Sequence, residues 1–194
     1  MFDVFVAYLH SKGTFTEADL ALIRSHSTVQ LLRRRQLLLR QGEIWKHYAF
    51  VCRGCLKSYF IDDKGVERIM RFSSEHWWAG DRQSITCGLP SIINIEALED
   101  STLVMFTRDG FNLLLEQLPE MKKMAETLLN RSLLAANNRI QAAISLGAEE
   151  RYQQFAQQYP DLVKRVPQHM IASFLGITPE TLSRVRATLT RRKA

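Results

Sequence analysis

Within GITPETLSRVRATL, residues 176–189, a carboxylate, a hydroxyl and a guanidinium recur at helical spacing: Glu180, Thr181 and Arg184 stand at i, i+1 and i+4. On a helix these three share one face, and Leu182, Val185 and Leu189 take the opposite one. A carboxylate can accept from cytosine N4, and an arginine can fork onto guanine O6 and N7. The outer face therefore carries groups suited to base edges in a major groove. Ser183 and Arg186 flank that face within reach of phosphate, and Arg191, Arg192 and Lys193 would add sequence-independent attraction to a polyanion. Glu180 has a structural role available too, because a negative charge in the first turn favours the helix dipole.

Positioning such a face takes two helices across a tight turn. Residues 168–187, QHMIASFLGITPETLSRVRA, meet each demand of that unit. Ala172 supplies the small residue where helices cross closely, and Gly176 tolerates the positive φ of the turn. Ile171, Leu175, Ile177, Leu182 and Val185 supply apolar contacts. Thr178 provides the capping oxygen, and Pro179 suits the first helical turn. Thr181 stands where a full capping box would have Glu, so the box is incomplete. These agreements predict a helix-turn-helix.

Charge supports that reading. The net charge is +6, and residues 160–194 hold seven basic against two acidic residues, so +5 of the excess lies in that segment. A basic segment on a near-neutral body suits a polyanion partner. No run approaches the roughly 18 apolar residues of a membrane span. The start, MFDVFVAYLHSKG, lacks a basic region before its apolar part, so no signal peptide is expected and the protein is placed in the cytoplasm. Cys52, Cys55 and Cys87 are an odd set and predict buried thiols rather than a disulfide framework. Cys52 and Cys55 have knuckle spacing that His47, His76 and Cys87 could complete, but two such ligands are a weak zinc signal; no metal or cofactor is expected. The five histidines are scattered, without a nucleophile elbow or phosphate-binding loop, which argues against an enzyme.

Upstream, residues 15–26 read as an amphipathic helix whose Thr16 and Asp19 make a capping-box-like start. Between 28 and 107, short apolar runs such as YAFVCRG, LKSYFIDDKG and TLVMFT alternate with turn signals, the pattern of an antiparallel sandwich or roll. Residues 109–116 suggest a short helix, and Pro119 opens a long one to Leu146. That helix carries two apolar stripes. Met121, Met124, Leu128 and Ala135 lie on one; Leu129, Leu133, Ala136, Ile140 and Ile144 lie on the other. Both must be buried, one against the sheets and one against a second copy of the chain. The dimer contact is assigned to Met121, Met124, Leu128 and Ala135. Asn137 and Asn138 are read as surface residues.

The order of roll, long helix and helix-turn-helix resembles the bacterial regulators named for the cyclic AMP receptor protein and FNR (Crp/Fnr). The resemblance covers almost the whole chain: LLRQGEIWKHYAFVCRGCLKSYFIDDKGVERIMRF is similar to the family's roll, and PETLSRVRATL to its recognition helix. It implies an α+β fold: an antiparallel β-roll of cyclic-nucleotide-binding type over 1–118, a dimerisation helix over 119–147 and a DNA-binding domain over 148–194. It places Glu180 and Arg184 on base-contacting positions, with Pro179 replacing the family's usual first Arg. Thr178, Thr181, Ser183, Arg186, Arg191, Arg192 and Lys193 complete the expected DNA contacts. The implied ligand pocket is degenerate and falls on Gly80, Asp81, Arg82, Ser91 and Ile92. The family's Glu is shortened to Asp81, its Arg-Ser pair becomes Ser91-Ile92, and no Lys or Arg lies between Arg82 and Arg108. A buried phosphate without a cation is costly, so cyclic AMP is disfavoured and the effector is unassigned. The expected partners are palindromic double-stranded DNA and a second copy of the chain, with RNA polymerase a further candidate. The alternatives are a cyclic-nucleotide-dependent regulator and a small-ligand sensor acting through protein contacts. Little or no C-terminal wing is expected, since only Thr190 to Ala194 follow the recognition helix.

Overall fold

The computed structural model describes residues 2–192. Two helices come first, α1 (Phe2–His10) and α2 (Glu17–Ser25). Eight strands follow: β1 (Ser27–Leu32), β2 (Leu37–Leu39), β3 (His47–Arg53), β4 (Leu56–Ile61), β5 (Glu67–Ser73), β6 (Trp78–Ala79), β7 (Asn94–Ala97) and β8 (Ser101–Thr107), with α3 (Arg82–Cys87) between β6 and β7. The rest is helical: α4 (Arg108–Gln117), α5 (Pro119–Ser145), α6 (Ala148–Gln158), α7 (Pro160–Arg165), α8 (Gln168–Leu175) and α9 (Pro179–Arg191). No strand follows β8 among the described residues. The strands form two four-stranded sheets, ordered β1-β8-β3-β6 and β2-β7-β4-β5. Two compact units result, Met1–Phe60 with Arg71–Leu129, and Ile61–Met70 with Asn130–Ala194.

In the first unit, β3 and β8 are buried on both faces. Ala49, Val51, Leu103 and Met105 enter an apolar cluster with Leu32, Leu39, Leu56, Ile95 and Ala97. Phe50, Cys52, Val104 and Phe106 enter another, with Phe5, Leu9, Ile23, Leu114, Met121 and Met124 from the helices. The rings of Phe5 and Phe50 lie 4.8 Å apart, and Trp78 stands edge-on to Phe50 at 5.5 Å. Helix α1 was not anticipated, although Phe2, Phe5 and Leu9 have helical spacing and pack into this core. Thr16 and Asp19 form the capping box at the start of α2. Asp62 accepts from the backbone N–H groups of Lys64 and Val66 in the turn between β4 and β5.

The dimer assignment needs correcting at two positions. Met121 is fully buried and Met124 is 4 % exposed within the protomer, because the first turns of α5 cover the aromatic core. Leu128 is partly buried against the same cluster, and Ala135 is exposed. The second stripe is open instead: Leu133, Ile140 and Ile144 are 56 %, 60 % and 80 % exposed.

Gly54 has φ +103, and a Cβ there would stand 2.7 Å from the Cα of Ser101. Gly65 has φ +77 with no neighbour within 4 Å. Gly54→Ala is therefore expected to destabilise by about 2–4 kcal/mol, from backbone strain plus overpacking, and Gly65→Ala by only about 1 kcal/mol. Urea unfolding of both variants checks the ranking; equal losses would contradict it.

Candidate nucleic-acid interface

In the second unit α6, α7, α8 and α9 enclose a small core of their own. Tyr152, Phe155, Leu162, Val166, Ile171, Ala172 and Leu182 are buried there. Gly176 adopts φ 67 after α8, and the next N–H, on Ile177, reaches back to the Ala172 carbonyl at 3.0 Å. That left-handed closure turns the chain within three residues. Thr178 then caps α9, its Oγ1 accepting from the Thr181 N–H at 3.2 Å. Arg151 donates to the Leu175 carbonyl at 2.8 Å and ties the turn to α6. The phenyl rings of Phe155 and Phe174 meet at 5.4 Å.

With Leu182 only 1 % exposed, α9 has a fixed inner face. Glu180, Ser183, Arg184 and Arg186 are exposed on the remainder, while Thr181 is half-buried. Hydrogen bonds from its own backbone N–H and the Thr178 hydroxyl hold the Glu180 carboxyl below the usual glutamate range. It is thus a held anion, available as an acceptor. Arg184 Nη2 lies 3.5 Å from Thr181 Oγ1, a long contact that leaves the rest of its donor fork open. Thr178 is exposed but occupied as a cap, so its main work is positional.

The basic end divides. Arg191 is exposed. Arg192 instead forms an ion pair with Glu149 at the start of α6, so its charge is partly spent on its own chain. Lys193 lies outside the described residues.

Of the five residues assigned to a degenerate pocket, three are held in close contacts and two are exposed. Asp81 caps α3, with Oδ1 accepting from the Ser84 N–H at 3.2 Å and Oδ2 from the Ser91 hydroxyl at 2.7 Å. Ser91 is 3 % exposed, and its oxygen also accepts from the Ile93 N–H. A Cβ on Gly80 would come 2.6 Å from Trp45 Nε1. These three residues form a closed clasp. Ile92 is 64 % exposed and Arg82 is exposed, so neither fits an enclosed pocket. Ile92 lies in a bend just before β7, and Ile93 beside it is buried.

Sequence reasoning overlooked a buried cation. Lys57 on β4 faces Glu96 on β7 in register, with Nζ 3.6 Å from Oε2 and the lysine side chain 4 % exposed. Tyr59 donates to the same carboxylate at 3.2 Å, and its ring centroid lies 4.2 Å from the ammonium. The signal was a lone Lys inside the apolar run CLKSYF. Its charge is answered within the fold. The thiol of Cys52 is pushed up by burial, which keeps it protonated, and no group of metal-ligating side chains gathers among the described residues.

The described elements are a two-sheet roll, a long helix and a helix-turn-helix. The cyclic nucleotide-binding domain family matches residues 29–118. The transcriptional activator protein Anr of Pseudomonas aeruginosa is 28 % identical over 168 residues, covering 79 % of this chain and 67 % of Anr. FixK2 of Bradyrhizobium japonicum superposes with a TM-score of 0.75 at 18 % identity, covering 86 % of each chain. The catabolite activator protein of Thermus thermophilus does so with a TM-score of 0.59 at 20 % identity, covering 96 % of this chain and 88 % of that one. In sequence and fold the chain is similar to transcription regulators of the Crp/Fnr type.

Arg184→Ala is expected to weaken binding to the chain's preferred duplex by about 1–3 kcal/mol and to relax base preference at one position per half-site. Fluorescence anisotropy on the preferred duplex and single-base variants reads both effects. Equal weakening on every sequence would reduce Arg184 to a phosphate contact.

Proposed function

We propose that this chain is a homodimeric, sequence-specific DNA-binding regulator that works without cyclic AMP. The observation that carries the reading is the outward display of Glu180 and Arg184 on a helix whose opposite face is locked by Leu182. Glu180 would accept from cytosine and Arg184 would fork onto guanine, with Ser183, Arg186 and Arg191 taking phosphates. Pro179 offers no donor where the family's usual recognition helix has Arg, so the preferred site would differ from the family's commonest one.

In this reading residues 1–118 sense, 119–147 pair and 148–194 read. The pairing face is the second stripe of α5, where Leu133, Ile140 and Ile144 would be covered by the same helix of another copy. Two recognition helices about a two-fold axis would then meet half-sites one turn apart, roughly 34 Å. The protein would work in the cytoplasm beside RNA polymerase, and not as an enzyme. No described helix is long and apolar enough to cross a membrane.

Independence from cyclic AMP is supported by chemistry. Asp81 and Ser91 satisfy each other, and the Lys57 ammonium is matched by Glu96. A cyclic phosphate entering there would have to break one of these pairings.

Selection from random duplexes should recover an inverted repeat, and light scattering should give twice the chain mass. Without sequence enrichment the regulator reading fails, and the helix-turn-helix would serve protein contacts instead. Titration calorimetry with cyclic AMP is expected to show no binding in the micromolar range; micromolar affinity would overturn the pocket argument. Ile140→Asp is expected to raise the dimer dissociation constant by about 100-fold or more, because it places a charge in an apolar contact. Sedimentation equilibrium measures that constant, and an unchanged value would move the pairing face elsewhere.

A further inference from the structure

At one end of the first unit, a cleft of about 430 Å³ opens between the start of β3, the β8–α4 junction and the later part of α3. It adjoins the Asp81–Ser91 clasp through Ser84, whose N–H bonds Asp81, but neither Asp81 nor Ser91 lines it. Its frame is stiff: His47 pairs with Thr107 in the ladder, and the Arg108 N–H bonds the Lys46 carbonyl at 2.9 Å. Ser84 Oγ accepts from the Trp45 N–H at 2.8 Å and donates to the Leu89 carbonyl at 2.6 Å, which fixes α3 against the strand.

The lining has two characters. Ile44, Trp45 and Ile85 supply an apolar wall, with Trp45 edge-on to His47 at 5.6 Å. Most polar groups of the wall are already used: Ser84 in the bonds above, and Thr107 Oγ1 in accepting from the Gly110 N–H at 3.1 Å. The cations are not. Lys46 is exposed and has no ion-pair partner among the described residues. Arg108 shares only its Nε with Asp109, at 3.3 Å, and that carboxylate is 88 % exposed. His47 is held below the usual histidine range by burial and then by Lys46, so at neutral pH it contributes a neutral imidazole.

An apolar wall beneath one unmatched positive charge fits a monoanion with a hydrocarbon body, and the volume lies within the range of small-molecule sites. We propose that this cleft binds an amphipathic carboxylate, its head between Lys46 and Arg108 and its apolar body against Ile44, Trp45 and Ile85. A dianionic phosphate is disfavoured, because Asp109 already offsets Arg108. The site stands independently of how the chain meets DNA.

Hexanoate is the probe, titrated into the full chain without DNA while the imidazole and indole signals of His47 and Trp45 are followed by NMR. Acetate tests the need for an apolar body, and hexylammonium the need for negative charge. The expected result is saturable shifts with hexanoate at low millimolar concentration or below, weakened roughly tenfold by Lys46→Gln and abolished by Lys46→Glu. Acetate and hexylammonium should give no saturation in that range. Lys46 is exposed, so both variants should keep the parent thermal midpoint. Equal binding of hexylammonium, indifference to either Lys46 variant, or no saturation by hexanoate would each overturn the proposal.

Discussion

The burial of Leu182 is the constraint from which the chemistry of the second unit follows. A thirteen-residue helix as polar as α9 has little reason to hold a fixed orientation by itself. One apolar anchor, a left-handed glycine and a threonine cap remove its rotational freedom. In the proposed reading rotation is what matters, because a turn of about 100° about the axis would carry Arg184 out of the groove. Ala172 belongs to the same constraint. Fully buried at the α8–α9 contact, it lets the two backbones approach closely enough for Leu182 to reach the core.

The first unit answers its buried charge internally. Lys57, Glu96 and Tyr59 settle one another on adjacent strands, and Asp81 and Ser91 do so at the start of α3. Desolvating an ion pair recovers little net energy, but removing one partner leaves a strongly unfavourable lone charge. In the proposed reading, an anionic guest at these positions would have to displace one of these pairings. The cleft beside Lys46 differs, since its positive charge faces outward and unmatched.

What the sequence disclosed depended on how each element meets its surroundings. The helix-turn-helix was legible because spacing, cap and glycine are all local signals, and α9 begins where Thr178 and Pro179 predict. The strands of the roll were legible as runs between turn residues. Their facing was not, because β3 and β8 are buried on both sides and show no alternation. Helix α1 lay hidden in an apolar opening segment weighed only as a leader. Helix α3 and strand β6 are too short to leave a period. Met121 and Met124 were misassigned because a stripe shows that a face must be covered but not by what; the aromatic core covers it. Ile92 was placed in a pocket by alignment with a motif, and it lies exposed in the bend before β7. Lys57 escaped notice because its partner is thirty-nine residues away in sequence and adjacent only across the ladder.

The account as a whole requires that two copies of α9 act together on one face of a duplex. The most direct measurement is affinity for the selected inverted repeat after inserting half a helical turn, roughly 5 base pairs, between its halves. The account predicts that binding falls to the level of a single half-site, because the second recognition helix then meets the opposite face. Undiminished affinity on the lengthened duplex would show that each protomer reads alone, and would contradict it.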